Sequence, residues 1–262
     1  MKIRKVEIVK IDLSAGKTEK IKDYVAEEKA LQIFLNRTHY ATIFSSPTHQ
    51  KELAIGHLLS EGIIKSIEEI QEIRLKKDEL CQVKLKPNVP LEKRLKLLKP
   101  LSRVILSACG SPKPYQFSRK LPKITLNLHV KAETILKSVR NLNFAAKNFK
   151  KTGGVHAAAI YGKKGNLLAF AEDVGRHNAV DKVIGISALN KIDFSQCFLA
   201  LSGRLTGDIA LKAARVGIPI LASLAAAVDS GILIAKETNL TLIGFVRGKR
   251  MNVYNLPERI LS

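Results

Sequence analysis

Apolar and polar residues alternate through much of the first hundred residues, as they do in strands that bury one face. The alternation predicts a strand near 3–13, a hairpin over 30–44 that turns at 36–39, and a strand pair at 70–75 and 80–85. Between them, apolar positions at helical spacing predict one helix, with Ser46 as its cap, Pro47 in its first turn and Gly62 at its end. This part of the chain is therefore predicted to be a mixed α/β unit.

Beyond residue 123 the pattern changes to apolar runs that alternate with amphipathic stretches. A helix is predicted near 132–149, a hairpin over 155–161 and 167–170, and a helix after Arg176. Three further strands (198–201, 218–221 and 240–246) alternate with helices near 208–215 and 225–236. Such alternation is typical of a three-layer α/β/α domain with a largely parallel sheet. We place the N-terminal domain at 1–100, a proline-containing basic linker at 101–122, and the α/β/α domain at 123–262.

The charge of the chain indicates a negatively charged ligand or partner. Lys and Arg number 44 against 23 Asp and Glu, which gives a net charge of +21, and residues 93–150 hold 14 basic residues and one acid. Phosphate, nucleic acid or an acidic protein would suit this field, and a solvated lysine-rich surface is the alternative. The basic segment lacks the aromatic spacing of single-strand binders, so we do not expect nucleic acid as the partner.

The three cysteines are far apart and form no CxxC pair, which argues against a disulfide framework and a four-thiolate zinc site. We expect no metal ligated by the protein, since the spacing of His156 and His177 matches no common site. With no signal peptide and no apolar run of spanning length, we expect a cytoplasmic protein that does not enter the membrane. Cys109 lies in a Gly/Pro/Ser loop within the basic segment, where cations favour the thiolate. Cys81 and Cys197 fit buried positions better.

Four glycine-bearing junctions recur in the second domain: KTGGVHAA, EDVGRHNAVDK, LSGRLTGD and GFVRGKRMNVY. If the strands are parallel, the loops after them meet at one edge of the sheet, and we expect Arg176, Arg204 and Arg247 to point into one crevice there. Glycine lets backbone amides approach a phosphate, and arginine binds it through two donors. The alternative for the second junction is that Asp173 and Asn178 only cap a helix. Neither a Walker loop nor GxGxxG is present, so no standard nucleotide motif applies.

Taken together, KTGGVHAA, AEDVGRHNAVDK, LSGRLT, ALKAARVGIPILAS and TLIGFVRGKRMNVY resemble the formate dehydrogenase accessory sulfurtransferase family, FdhD/NarQ, over nearly the whole chain. The resemblance implies a sulfur carrier. It would accept persulfide sulfur from a cysteine desulfurase and transfer it to the molybdenum or tungsten bis-molybdopterin guanine dinucleotide cofactor of formate dehydrogenase. It further implies a cytidine-deaminase-like second domain, without that fold's zinc motif, and a homodimer.

The resemblance also assigns site residues. Cys109 takes the first position of the family's CGxC loop and would carry the persulfide. The expected cofactor-binding residues come from the glycine junctions: Gly153, Gly154, His156, Asp173, Gly175, Arg176, His177, Asn178, Ser202, Gly203, Arg204, Phe245, Val246, Arg247, Gly248, Lys249 and Arg250.

Two positions depart from the family pattern. Pro112 stands where the loop usually has its second cysteine, so one thiol has to suffice. The stretch that usually reads SxSAPT is Ser223–Val228, SLAAAV, which removes polar groups near the expected ligand. The competing function is a non-catalytic chaperone that binds and delivers the cofactor, with Cys109 incidental.

Overall fold

The computed structural model describes residues 3–77, 79–95, 121–125 and 128–262. Its strands are β1 Ile3–Asp12, β2 Lys17–Ala26, β3 Lys29–Leu35, β4 Thr38–Ser45, β5 Ile70–Lys76, β6 Leu80–Leu85, β7 Val130–Lys131, β8 His156–Gly162, β9 Leu167–Asp173, β10 Cys197–Leu201, β11 Ile220–Ser223, β12 Thr241–Arg247, β13 Arg250–Asn255 and β14 Ile260–Leu261. The labelled helices are α1 Gln50–Ser60, α2 Ala132–Ala145, α3 Lys147–Thr152, α4 Arg176–Leu189, α5 Gly207–Arg215 and α6 Asp229–Thr238.

The first part of the chain forms a ribbon and a sheet. Strands β1 and β2 pair antiparallel along their whole length, and β2 was not predicted from the sequence. Strands β3 to β6 form a four-stranded sheet in the order β4-β3-β6-β5, with only β3 and β6 parallel. The predicted hairpin and strand pair are therefore confirmed.

Helix α1 begins later than predicted, at Gln50 instead of after Ser46. His49 takes the N-cap position in a left-handed conformation, with φ of 54°, and accepts the first helical hydrogen bond from Leu53. Ser46 is engaged elsewhere: its N–H donates to Asp173 and its hydroxyl accepts from the N–H of Val174. The prediction that Ser46 caps this helix is wrong, because its polar groups bind a segment far away in sequence.

The second sheet has six strands in the order β13-β12-β11-β10-β8-β9. Strands β10, β11 and β12 are parallel to one another, whereas β8 with β9, β8 with β10, and β12 with β13 pair antiparallel. The prediction of a largely parallel sheet thus holds for the centre alone. Tight turns join β8 to β9 and β12 to β13, and such turns produce antiparallel pairs.

Helices cover both faces of this sheet. Alternate strand residues such as Ala159 and Phe198 join α2 in one buried cluster, while Ile160 and Leu199 join α4, α5 and α6 in another. The three layers agree with the α/β/α prediction, and the likeness to the cytidine deaminase fold stays a prediction. The helix predicted over 132–149 breaks at Ala146 into α2 and α3.

Helices α1 and α4 cross in close contact. A Cβ added at Gly56 would overlap the carbonyl of Asp181, and one added at Gly185 would overlap the carbonyl of Glu52. Glycine at both positions lets the backbones touch, so the core of the first sheet continues into the layer beneath the second. Our division into two domains stays a prediction. Among the described residues, no helix is long and apolar enough to span a membrane.

Candidate functional site

One edge of the six-stranded sheet gathers the predicted site residues. Strand register places the start of β8, at His156, beside the end of β9, at Asp173. The ends of β10 and β11, at Leu201 and Ser223, lie at the same edge, and β12 runs parallel to them and ends there at Arg247. The loops that follow β9 and β10 therefore open on this edge together.

A cluster of cationic and imidazole side chains lies at this edge. Gly203, in the loop after β10, is so close to its neighbours that an added Cβ would lie 3.2 Å from Cβ of Arg176 and 3.4 Å from Nδ1 of His156. Arg204 is exposed and acts electrostatically on both. We call Arg176, Arg204 and His156 the cation cluster. Burial, Arg176 and Arg204 lower the pKa of His156, partly opposed by Asp173, so the imidazole is mainly neutral at pH 7.

Arg176 has a donor without an acceptor. Its Nε is buried and has no hydrogen-bond partner within the described residues. Burial first, and then Arg204, lower the pKa of its guanidinium, which shows that the charge is poorly compensated. A buried unpaired donor costs about 1–3 kcal/mol, so an acceptor that reached it would bind favourably.

Three helices direct their N-termini to the same edge. Helices α4, α5 and α6 follow β9, β10 and β11, and none of the three has a side-chain hydrogen bond at its N-cap. The N–H of Gly207 at the start of α5 donates to Ser230, and that of Gly175 before α4 donates to Asp173. The positive end of each helix dipole favours anions. Together with the cation cluster, these dipoles make this edge a place for phosphate or carboxylate groups.

Asp173, in the EDVGRHNAVDK motif, has a structural role. Asp173 is fully buried and forms an ion pair with Lys182, which is also fully buried. Its oxygens accept hydrogen bonds from the N–H groups of Ser46 and Gly175 and from the amide of Asn178, at 2.8 to 3.0 Å. Asp173 and Asn178 thereby fix the turn into α4 and attach it to the segment before α1. The sequence did not reveal Lys182 and Ser46 as the partners of Asp173.

A second acid, Glu172, holds the glycine junction of KTGG. Its buried carboxylate accepts hydrogen bonds from the N–H groups of Asn148 and Phe149, in the first turn of α3. Helix α3 ends at Gly153, whose φ is 63°, and the exposed Gly154 leads on to β8. The carboxylate thus places this junction beside the site edge, and Gly153 and Gly154 form its backbone.

Behind the cation cluster lies a buried ionic network that the sequence did not reveal. Lys212 donates to Asp181, Glu61 and Ser60 at 2.7 to 3.0 Å, so that α5, α4 and the end of α1 are joined. Burial acts to raise the pKa values of the two acids, but Lys212, His57 and their hydrogen bonds together outweigh it, so both pKa values lie below their usual range. His177 lies next to this network, where burial, Lys212 and Arg176 lower its pKa to about 4. The signal in the sequence was a lysine at an apolar position of the ALKAAR helix.

The turn from β12 to β13 carries the last group of predicted residues. Phe245 adopts a φ of 51°, and its N–H donates to the carbonyl of Ala225. The guanidinium of Arg247 lies 5.8 Å from the centre of the Phe245 ring, and its Nε donates to the carbonyl of Leu224. Val246 is buried, whereas Arg247, Gly248, Lys249 and Arg250 are exposed. The structure therefore brings Arg176 and Arg204 together, with Arg247 two strands along the same edge.

The FdhD/NarQ family model matches residues 26–261. The chain belongs to the FdhD/NarQ family. It is 37% identical over 262 residues to a protein of Sulfolobus acidocaldarius named sulfur carrier protein FdhD, with 99% of each chain covered. A protein of the same name from Bacillus subtilis is 34% identical, with 94% of this chain and 93% of the relative covered.

A solved structure shares the fold. The crystal structure of a protein assigned as a formate dehydrogenase accessory protein from Desulfotalea psychrophila superposes with a TM-score of 0.80, at 29% identity and 99% coverage of both chains. The recognition of the FdhD/NarQ family from sequence motifs is thus confirmed.

Of the three cysteines in this FdhD/NarQ family member, two are buried. Cys81 is 0% and Cys197 is 2% exposed, and burial raises their thiol pKa values to about 12 and about 11. Both are therefore protonated at pH 7 and enclosed by apolar neighbours. Cys109, Pro112 and the rest of the predicted 101–122 loop before residue 121 lie outside the described residues.

Proposed function

We propose that this protein is a sulfur carrier for the maturation of formate dehydrogenase. It would accept persulfide sulfur from a cysteine desulfurase on Cys109 and transfer it to the molybdenum or tungsten bis-molybdopterin guanine dinucleotide cofactor. The observation that carries this proposal is the full-length similarity to proteins named sulfur carrier protein FdhD. The structural relative from Desulfotalea psychrophila, assigned as a formate dehydrogenase accessory protein, supports formate dehydrogenase as the client.

The two buried cysteines support Cys109 as the carrier. Sulfur transfer needs a thiolate that a second protein can reach, and burial keeps Cys81 and Cys197 protonated and enclosed. The sequence holds three cysteines, so Cys109 is the candidate that remains. It also lies within the most basic segment, where cations stabilise a thiolate.

The proposed transfer to Cys109 needs no oxidant. The Cys109 thiolate attacks the outer sulfur of the donor's persulfide, a new S–S bond forms, and the donor's S–S bond breaks. The donor cysteine leaves as a thiolate, and Cys109 then carries the sulfur as a persulfide. Because Pro112 replaces the usual second cysteine, the carrier works with one thiol and forms no disulfide within the loop.

The site edge fits the cofactor as the acceptor substrate. A guanine dinucleotide carries a diphosphate, and the unpartnered Nε of Arg176 is a donor that an anionic oxygen would satisfy. Arg204, His156 and the N-terminus of α4 lie beside it. We assign these groups to the diphosphate and the exposed residues Arg247–Arg250 to the rim.

The test is restoration of formate dehydrogenase activity in cells that lack their own accessory protein. The wild type and the Cys197→Ala control are expected to restore activity, whereas Cys109→Ala is expected to restore none at equal protein levels. If Cys109→Ala restored full activity, sulfur carriage would be refuted, and delivery of the cofactor without sulfur chemistry would explain the role.

A further inference from the structure

The cation cluster holds more positive charge than its surroundings balance. Asp173, the carboxylate that acts on His156, is committed to its ion pair with Lys182. Asp208, on α5, acts on Arg176 at longer range, and burial raises the pKa of this carboxyl. Within the described residues, Arg176 and Arg204 form no salt bridge. The cluster is therefore two cations around one neutral imidazole.

His156 can gain a proton without any rearrangement of the backbone. Its Nδ1 lies 3.4 Å from the hydroxyl of Ser202, and that hydroxyl already accepts a hydrogen bond from the N–H of Ala157. In the neutral tautomer with the ring proton on Nε2, the hydroxyl donates to Nδ1. When Nδ1 becomes protonated, the hydroxyl rotates and accepts instead.

A doubly charged anion would reverse the electrostatic balance at His156. By themselves the two arginines disfavour the imidazolium, and a dianion between them would favour it. The three groups that face the imidazole are Arg176 on α4, Arg204 after β10 and Asp173 on β9. Of these, the two arginines are in position to bind the same anion, because Arg176 lies next to Gly203 in space and Arg204 follows Gly203 in the chain.

We propose that the cation cluster binds a doubly charged phosphate-type anion, as the diphosphate of a dinucleotide is as a whole, and that His156 takes up one proton when it binds. The inference rests on the proposed function only for the source of the phosphate, which would be the diphosphate of the cofactor. Cofactor binding then strengthens as the pH falls, and release is favoured where the pH is higher. His156 is thus a binding residue whose charge follows the occupancy of the site.

The test uses sulfate, whose double charge does not change between pH 5 and pH 8. Calorimetry in two buffers of different ionisation enthalpy gives the number of protons taken up per sulfate bound. For the wild type we expect an uptake that approaches one proton per sulfate. We also expect the affinity for sulfate to rise by up to about tenfold per pH unit as the pH falls towards the range where free His156 titrates. His156→Gln is expected to bind sulfate weakly with no uptake. His39→Gln, on the exposed strand β4, is the matched control and is expected to behave as the wild type.

Three results would overturn the proposal: no sulfate binding at any pH, binding without proton uptake, or uptake that survives in His156→Gln and so belongs to a group such as Asp208. Titration with GDP separates this inference from the proposed function. GDP binding without proton uptake would refute the role of His156 and leave the cofactor proposal intact. Sulfate binding with proton uptake but no GDP binding would leave the role of His156 intact and refute this edge as the cofactor site.

Discussion

The buried pair of Asp173 and Lys182, both in the EDVGRHNAVDK motif, offers a sharp test of whether Asp173 builds the site or contacts the ligand. In Asp173→Asn, the ammonium group of Lys182 would stay buried without its carboxylate partner, with the carbonyl of Ser46 and the new amide oxygen as neutral acceptors. Removing one member of a buried ion pair costs about 3–5 kcal/mol. We therefore expect Asp173→Asn to lose that much of its free energy of unfolding.

The reverse substitution should cost less. In Lys182→Met, the carboxylate of Asp173 keeps its hydrogen bonds from Ser46, Gly175 and Asn178. We expect a loss of about 1–3 kcal/mol. The double variant carries no unpaired buried charge, so it should recover about half or more of the loss seen in Asp173→Asn.

Urea unfolding followed by circular dichroism measures these differences. Asp229→Asn, an exposed acid in the first turn of α6, is the matched control and should change stability by less than about 1 kcal/mol. The pH adds a second check. Burial already lowers the pKa of Lys182, and without Asp173 it falls further, so the unfolded chain holds a proton that the folded chain lacks. The deficit of Asp173→Asn should therefore shrink as the pH rises towards about 10.4, the value for an unfolded lysine.

One pattern of results would refute this reasoning. If Asp173→Asn kept the stability of the wild type but lost affinity for GDP, Asp173 would be a ligand contact and its structural role would be wrong. If the double variant were no more stable than Asp173→Asn, the stability would not depend on the ion pair.

The remaining predictions concern packing, binding and acid stability. Gly185→Ala should lower stability by about 2 kcal/mol or more, because the added methyl group overlaps the carbonyl of Glu52. Gly154→Ala is the control and should be tolerated, because its methyl group has no neighbour nearer than 3.8 Å. Equal thermal midpoints of the two variants would contradict the close helix crossing. Arg176→Ala should weaken GDP binding about tenfold to a hundredfold in calorimetry, and the exposed Arg140→Ala should not; equal losses would indicate a nonspecific basic surface. Lys212 and other neighbours hold the pKa of Glu61 below its usual range despite burial. The contribution of the Glu61 carboxylate to stability is therefore present above pH about 4.3 and lost as the pH falls. Glu61→Gln should flatten that part of the acid unfolding profile, and an unchanged profile would refute the assignment.

Local patterns in the sequence predicted most of the helices and strands because hydrophobic periodicity and turn residues are local signals. The hairpins of the first sheet and the hairpin of β8 and β9 follow from alternating apolar and polar residues around turns. Helix α4 follows from the helical spacing of apolar residues after Gly175. The break at Ala146 was not predictable in this way, because the carboxylate that caps α3 comes from Glu172 on another element. Strand β13, Arg250–Asn255, was missed although its first four residues alternate between polar and apolar.

The glycine and arginine junctions predicted which edge of the sheet holds the site. They did not predict which of its residues build the site and which are placed to bind a ligand. Arg176, Arg204 and His156 meet there, whereas Arg247, which we expected in the same crevice, lies against Leu224 and Phe245 two strands along the edge. Asp173 is held by Ser46, and Asn178 donates to the carbonyl of Phe44; partners so distant in sequence leave no local pattern. The same holds for Lys212, whose two acids come from α4 and from the end of α1.

The most direct test of sulfur carriage is mass spectrometry of the purified protein after incubation with a cysteine desulfurase and cysteine. We predict that the peptide with Cys109 gains the mass of one sulfur atom, that the gain disappears on reduction, and that the Cys109→Ala protein gains none. An equal gain in Cys109→Ala, or a gain on Cys81 or Cys197, would contradict sulfur carriage by Cys109.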